Sequence, residues 1–438
     1  MKINKDFIIK YFEKGAKKLS DCGVGVEHEK LLFFNNNNKR IDYATILKIF
    51  NALYEFGWQP IYEGKNIIAL QKDNKNISLE PGNQIELSGA KLKNIHQVCS
   101  ESQDYLFELK EVTKSLDVSI VSSGFDPISK LSEINSNPKQ RYKLMSKEMP
   151  KNGKMSLDMM YRTCGTQVNL DYTSEKDFSK KFYVANRIVP IIIALFANSS
   201  IVEKNYSKFL SYRSYVWQST SRGGLPKTFL EEMNFEKYSD FIINFPMLFI
   251  KKNNEFINPE GRKFSDFLEG RIKGIGKPDV SDLEDHLSTI FTENRLKTYI
   301  ETRTMDACGW DCLCAGPAFL IGLMYGNLEE VFDLVKKWDV SDILSAYINA
   351  PKDGFKTNLG NKDLLHWSAI LLNISRDGLA NRNALNKKKV VMGFGHRVYR
   401  TGDSRVPTMK HYMFKVAKLL KKEKYTRMYE ILEKVMLQ

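Results

Sequence analysis

The chain predicts an α+β fold built on a mainly antiparallel sheet. Strand-type and helix-type periodicities interleave along it without a regular βαβ alternation. A hairpin-like turn, Lys72-Asp73-Asn74-Lys75, joins two short strand candidates at 66–71 and 76–87. Several short segments alternate polar and apolar residues, as half-buried strands do.

Taken in order, residues 1–20 have the spacing of an amphipathic helix, with Phe7-Ile8-Ile9 and Tyr11-Phe12 as its apolar part. Residues 22–34 read as a strand that stops at Asn35-Asn36-Asn37-Asn38, a turn signal. Helical spacing returns at 43–56 and again, over a longer run, at 92–116. Val118 to Ser122 is a strand, Gln167 to Tyr172 another, and 175–202 a largely apolar helix. Two units are expected, residues 1–386 and a tail at 387–438.

With 438 residues the chain can bury a large core. Six cysteines in such a length make no disulfide framework. The longest apolar stretch, Ile188 to Ala197, is too short to span a bilayer, so no membrane partner is expected. The opening residues lack the order of a secretory signal, and a cytoplasmic location is the expectation. Net charge is +14, yet residues 387–438 hold 14 Lys/Arg against 4 Asp/Glu. The rest of the chain is close to balance, and no nucleic-acid motif accompanies the basic tail, so nucleic acid is not expected as a partner.

The chemistry sits in carboxylates. Gly25-Val26-Glu27-His28-Glu29-Lys30 places Glu27 and Glu29 on one strand face. Ser78 to Ala90 carries Glu80 and Glu86, also an even number apart, with Pro81-Gly82 bending the chain between them. Carboxylates aimed together repel, and hard oxygen donors suit Mg²⁺. One such pair alone is more often a solvated sheet face. Two pairs, followed by Tyr299-Ile300-Glu301-Thr302-Arg303, point to a metal–phosphate site. No phosphate-binding Gly-x-x-x-x-Gly-Lys loop occurs. Arginines must then grip phosphate or carboxylate, and Arg162, Arg213 and Arg303 are the candidates.

These segments, with Ala194 to Ser199, Phe209 to Ser214, Arg295 to Glu301 and Cys314 to Phe319, resemble the glutamate–cysteine ligases of plants and many proteobacteria, in the family's order over roughly residues 20–350. The resemblance implies a glutamine-synthetase-like funnel of antiparallel strands flanked by helices. It implies ATP-dependent joining of the glutamate γ-carboxyl to the cysteine amine through a γ-glutamyl phosphate, the first step of glutathione synthesis. It assigns Mg²⁺ to Glu27, Glu29, Glu80, Glu86 and Glu301. Arg303 would meet the phosphoryl group or developing oxyanion, and Arg162 and Arg213 the carboxylates of glutamate. The chain departs from its relatives in a shortened stretch at Gln218 to Gly224. It departs again at Arg303 to Trp310, where Cys308 stands in a segment that relatives write Arg-x-Ala-Asp-Gly-Gly-Pro-Trp. A different amine acceptor is therefore an alternative.

Residues 388–410 resemble the oxaloacetate loop of citrate and 2-methylcitrate synthases, with His396 and Arg405 at the binding positions. That family's second histidine segment is absent upstream and its aspartate base downstream, so general acid–base enolisation lacks its partners. An acyltransferase of that kind is the other alternative, and an incomplete one. A helical tail that takes no part in catalysis is the expectation here.

Overall fold

A computed structural model describes residues 3–382 apart from 152 and 254. The expectations for residues 387–438, among them the helical tail and the roles of His396 and Arg405, lie outside the described residues.

A nine-stranded sheet dominates the molecule. Its strands are β1 (Val24–Phe34), β2 (Gln59–Glu63), β3 (Asn66–Lys72), β4 (Lys75–Leu79), β5 (Ile85–Ser88), β6 (Val118–Val121), β7 (Gly165–Leu170), β8 (Asn294–Leu296) and β9 (Ile300–Asp306). The order is β8-β9-β7-β1-β5-β4-β3-β2, with β6 pairing the far end of β1. All of these pairings are antiparallel. The fold is thus α+β with a large antiparallel sheet.

The sequence reading locates six of the nine strands of the large sheet and the helices that begin at Lys5, Tyr43, Ile95 and Glu175. The expected strand 76–87 divides at Glu80–Gln84, where Asn83 takes a left-handed backbone at φ 61° and its N–H donates to the Glu80 carbonyl. The expected helix 175–202 divides into Glu175–Arg187 and Val189–Phe196. Pro190, which lacks an N–H and fixes its own φ, sits at the start of the second piece. The first helix is shorter than 1–20 and covers Lys5–Lys14, with Asn4 accepting from the Phe7 N–H as its cap. Strands β2, β8 and β9 are additions that the periodicity did not single out.

The core lies behind the sheet. Val26, Val168 and Leu170 pack there against Val184, Ile188, Ile192 and Phe319 from the helical layer. A second cluster holds Leu32, Leu70, Ile77 and Leu87 against the helices Tyr43–Leu53 and Ile95–Ser115. Helix Leu364–Asn381 closes the layer by crossing the π-helical segment Gly322–Gly326. A methyl group on Gly378 would lie far inside van der Waals contact with the Gly322 carbonyl. Only glycine permits that approach. Gly378→Ala is therefore expected to cost about 1–3 kcal/mol through overpacking. A urea melt should show a lower midpoint at unchanged m value.

Candidate active site

The register of the sheet builds the site. Glu29 on β1 stands directly opposite Glu86 on β5, and Ser78 on β4 lies beyond Glu86. Glu27 stands opposite Gln167 on β7. Asn169 pairs with Glu301 on β9, which in turn pairs with Arg295 on β8. Directly opposed residues share a face. One face of the sheet therefore carries Glu27, Glu29, Glu86, Gln167, Asn169, Glu301 and Arg295.

These side chains line a cavity of about 320 Å³. Glu80 enters it from the turn between β4 and β5. That turn is held in place by Gln84, whose amide donates to the carbonyls of Met160 at 3.2 Å and Thr163 at 3.0 Å and accepts from the Gly82 N–H at 2.8 Å. Arg40, paired at 3.1 Å with the buried Asp126, holds the Gly82 carbonyl as well. Helix Gln140–Glu148 and the residue before it supply the far wall, with Lys139, Arg141 and Tyr142.

The cavity is electrically divided. Its centre holds four glutamates. Glu29 accepts from the Gly165 N–H at 2.7 Å, Glu27 from the Asn169 amide at 2.7 Å, and Glu86 from the Ser78 hydroxyl at 2.9 Å. Burial pushes Glu29 up to about 7, helped by the neighbouring Glu80 charge. Burial and the charges of Glu27, Glu80 and Glu29 push Glu86 well above the carboxylate range.

Glu301 stands apart. Arg295 Nε donates to it at 2.5 Å, Arg303 pairs with it at 3.3 Å and Lys297 at 3.4 Å. Burial alone would raise its pKa, but Arg295, Lys297 and Arg303 together hold it well below the usual range. Arg303 also donates to the Gln167 side-chain oxygen. A cationic end on β8–β9 and the cations Lys139 and Arg141 thus flank a negative centre.

Of the ten residues the sequence singled out, Glu27, Glu29, Glu80, Glu86, Glu301 and Arg303 meet in this cavity. Arg162 and Arg213 are not among its lining residues. Arg162 pairs with Asp158 at 3.0 Å and Glu203 at 3.3 Å and stacks on Phe125. Arg213 donates to the carbonyls of Arg303 at 2.7 Å and Thr304 at 3.0 Å, so it braces β9 from behind the cavity wall. His396 and Arg405 lie outside the described residues. The sequence reading gave no role to Arg295, Lys297, Lys139, Arg141 or Tyr142. Arg295 and Lys297 alternate with Leu296 ahead of Glu301, which is the signal that would have found them. Lys139 to Tyr142 carry no such alternation.

The donor set suits a hard divalent cation at Glu27, Glu29, Glu80 and Glu86, whereas Glu301, which the resemblance also assigned to Mg²⁺, is already paired with Arg295, Lys297 and Arg303. All four offer carboxylate oxygens, and the raised pKa of Glu29 and Glu86 reports negative charge in need of a positive partner. Among the described residues, no group of three His, Cys, Asp or Glu side chains is drawn tightly enough to enclose an ion.

A family profile described as glutamate–cysteine ligase family 2 matches residues 23–427. The chain belongs to this family. The match runs into the segment after 387 as well. Glutamate–cysteine ligase, chloroplastic, of Nicotiana tabacum is 37% identical over 388 residues, covering 87% of this chain and 74% of the relative. The namesake of Medicago truncatula is 38% identical over 408 residues, covering 91% and 80%. A crystal structure of glutamate–cysteine ligase from Francisella tularensis in complex with AMP has a TM-score of 0.47 and 14% identity, covering 90% of this chain and 86% of that one. The relatives are chloroplastic by name, which overturns the expectation of a cytoplasmic location. Addresses are read by receptors from targeting segments, and the composition of a ligase fold carries no such information. No described helix is long and apolar enough to cross a membrane.

The raised pKa of Glu29 makes a sign-specific prediction. Its unfolded value is near 4.5 and its folded value about 7. Between these values the folded chain binds more protons than the unfolded one, so this group's contribution to stability is lost as pH rises through the window. In metal-free buffer, wild type should lose stability relative to Glu29→Gln as pH rises from about 5 to about 8. Parallel denaturation curves for the two proteins across that range check it.

Proposed function

We propose that this ligase-family member joins the γ-carboxyl of glutamate to the amine of cysteine, with ATP consumed and γ-glutamyl phosphate as the intermediate. Its membership of the family supports the pair of substrates. The observation that carries the chemistry is the divided cavity, in which buried carboxylates lie between two sets of cations.

A free carboxylate is a poor acyl donor and must be activated. Phosphorylation does this, at the cost of bringing polyphosphate charge beside the reacting carboxyl. Glu27, Glu29, Glu80 and Glu86 would hold Mg²⁺, which when bound supplies neutralising charge at the phosphoryl group. The protein's own cations do the rest. Arg303 is fixed by Glu301 and Gln167, so its guanidinium is oriented before substrate arrives. That preorganisation favours the transferring phosphoryl and, after attack by the amine, the tetrahedral oxyanion. Arg295 is locked by the carbonyls of Ser288 at 2.9 Å and Ile290 at 3.0 Å and keeps Glu301 ionised. Lys139 and Arg141 face this group across the cavity and suit the leaving phosphates. Trp217, stacked at 5.4 Å on Arg303 and 4.8 Å on Arg213, limits solvent at the same wall.

Purified protein given glutamate, cysteine, ATP and Mg²⁺ should yield γ-glutamylcysteine, ADP and phosphate. Mass identification of the product, with each component omitted in turn, tests this. A folded protein that forms no dipeptide with cysteine, or that makes one faster with another amine, would refute the assignment.

Replacing Glu29 or Glu86 with Gln keeps shape and removes a charge. Turnover should fall about 10²–10³-fold, the loss typical of one preorganised electrostatic group. Steady-state rates at limiting and at saturating Mg²⁺ separate a lost metal contact from a lost fold. Glu301→Gln should instead raise the concentration of ATP required, because it frees Arg295 and Arg303 from their common anchor.

A further inference from the structure

Arg40 and Asp126 form an ion pair at 3.1 Å whose side chains are 2% and 0% exposed. Neither residue lines the catalytic cavity. A buried pair of this kind stabilises a fold little, because stripping two charges of water costs about as much as their attraction returns. What it supplies is a fixed position, and the other arm of the guanidinium shows for what. That arm donates to the carbonyl of Gly82, in the turn that carries Glu80.

Both partners are anchored. Arg40 bridges Phe33 of β1 through its backbone, with the Phe34 N–H donating to the Lys39 carbonyl at 2.9 Å and the Ile41 N–H to the Leu32 carbonyl at 3.1 Å. Asp126 accepts from the N–H groups of Ile128 and Ser129, each at 2.8 Å, and its own N–H donates to the Arg162 carbonyl at 2.7 Å. Asn137 holds the first half of the turn, its amide donating to the Glu80 carbonyl at 2.7 Å and its N–H to the Pro81 carbonyl at 3.0 Å. Arg40 takes the next carbonyl, that of Gly82. The turn is packed tightly here, since a methyl group on Gly82 would meet the Tyr161 carbonyl at 2.6 Å.

Glu80 needs this support more than its neighbours do. Glu27, Glu29 and Glu86 stand within paired strands, whereas Glu80 follows the last residue of β4. We propose that Arg40, fixed by Asp126, is a positioning residue for the metal. It sets the turn so that the Glu80 carboxylate reaches an ion held by Glu27, Glu29 and Glu86, while itself touching neither ion nor substrate. The inference rests on the reading of these four glutamates as a Mg²⁺ site.

The test uses Arg40→Lys. The charge beside Asp126 is kept, but a single ammonium on a flexible stem does not reproduce a fork that grips Asp126 and Gly82 together. Mn²⁺, a paramagnetic stand-in for Mg²⁺, is titrated into the metal-free full-length protein and the free ion is followed by electron paramagnetic resonance. The dissociation constant should rise about tenfold, the low end of the loss usual when an outer-shell partner of a metal site is removed. In turnover assays the Mg²⁺ needed for half-maximal rate should rise in step, and the maximal rate should largely return at high Mg²⁺. Asp126→Asn, which frees Arg40 without changing shape, should move the same way and serves if Arg40→Lys does not fold. Val335→Ala, a cavity in the helical core, should lower thermal stability and leave metal affinity unchanged. Glu80→Gln should weaken metal binding, and adding Arg40→Lys to it should weaken it no further, because the ligand that Arg40 positions is already lost. Additive losses in that double variant, or an Arg40→Lys protein that binds Mn²⁺ as wild type does, would overturn the proposal. A wild-type protein that binds no Mn²⁺ would instead overturn the metal reading on which it rests.

Discussion

Everything in the site depends on one register. With Glu29 opposite Glu86, and Glu27 two residues back on the same face, three carboxylates are forced together on rigid strands. A slip of one residue would turn the glutamates of β1 into the core and bring His28 and Lys30 out. That slip is prevented from behind. Val26 and Leu32 are buried in the core on the alternate face, and β5 and β7 flank β1 on either edge. The hydrophobic effect thus fixes the geometry of charges that would otherwise separate.

The molecule offsets this repulsion unevenly. Hydrogen bonds from Gly165, Asn169 and Ser78 reach the central glutamates, but among the described residues no cation forms a salt bridge with them. Glu301 receives three cations. Burial raises Glu29 and Glu86 above the usual carboxylate range, whereas Arg295, Lys297 and Arg303 hold Glu301 below it. The site is consequently held ready for a positive ligand at its centre and for anionic ones at its ends. That is the charge order of a metal–polyphosphate complex beside a carboxylate substrate.

The far side of the same strands has a different character. His28 and Lys30, which alternate with the glutamates, are buried under the helical layer, and Lys30 bonds to the carbonyl of a cysteine. The two faces of β1 thus carry opposite chemistry, carboxylates toward the cavity and a buried imidazole and ammonium toward the core.

Much of this was legible in the sequence because period-two alternation is a local property. Glu27 and Glu29 share a face by spacing alone, and Pro81-Gly82 announced the bend that delivers Glu80. Cap residues and Pro190 likewise mark helix ends within a few residues of themselves. Partners across the sheet are not local. That Glu29 meets Glu86, that Arg295 neutralises Glu301, and that Arg213 braces β9 instead of lining the cavity follow from strand order, in which β9 and β7 are separated by some 130 residues of chain. Lys139 and Arg141 enter the site because a helix packs over the sheet edge, a fact without periodic signature. The sequence by itself determined which carboxylates are present and which way each strand turns them. The tertiary structure decided which of them lie uncompensated and which are paired, because charge balance in a buried site depends on neighbours that only packing brings within a few ångströms.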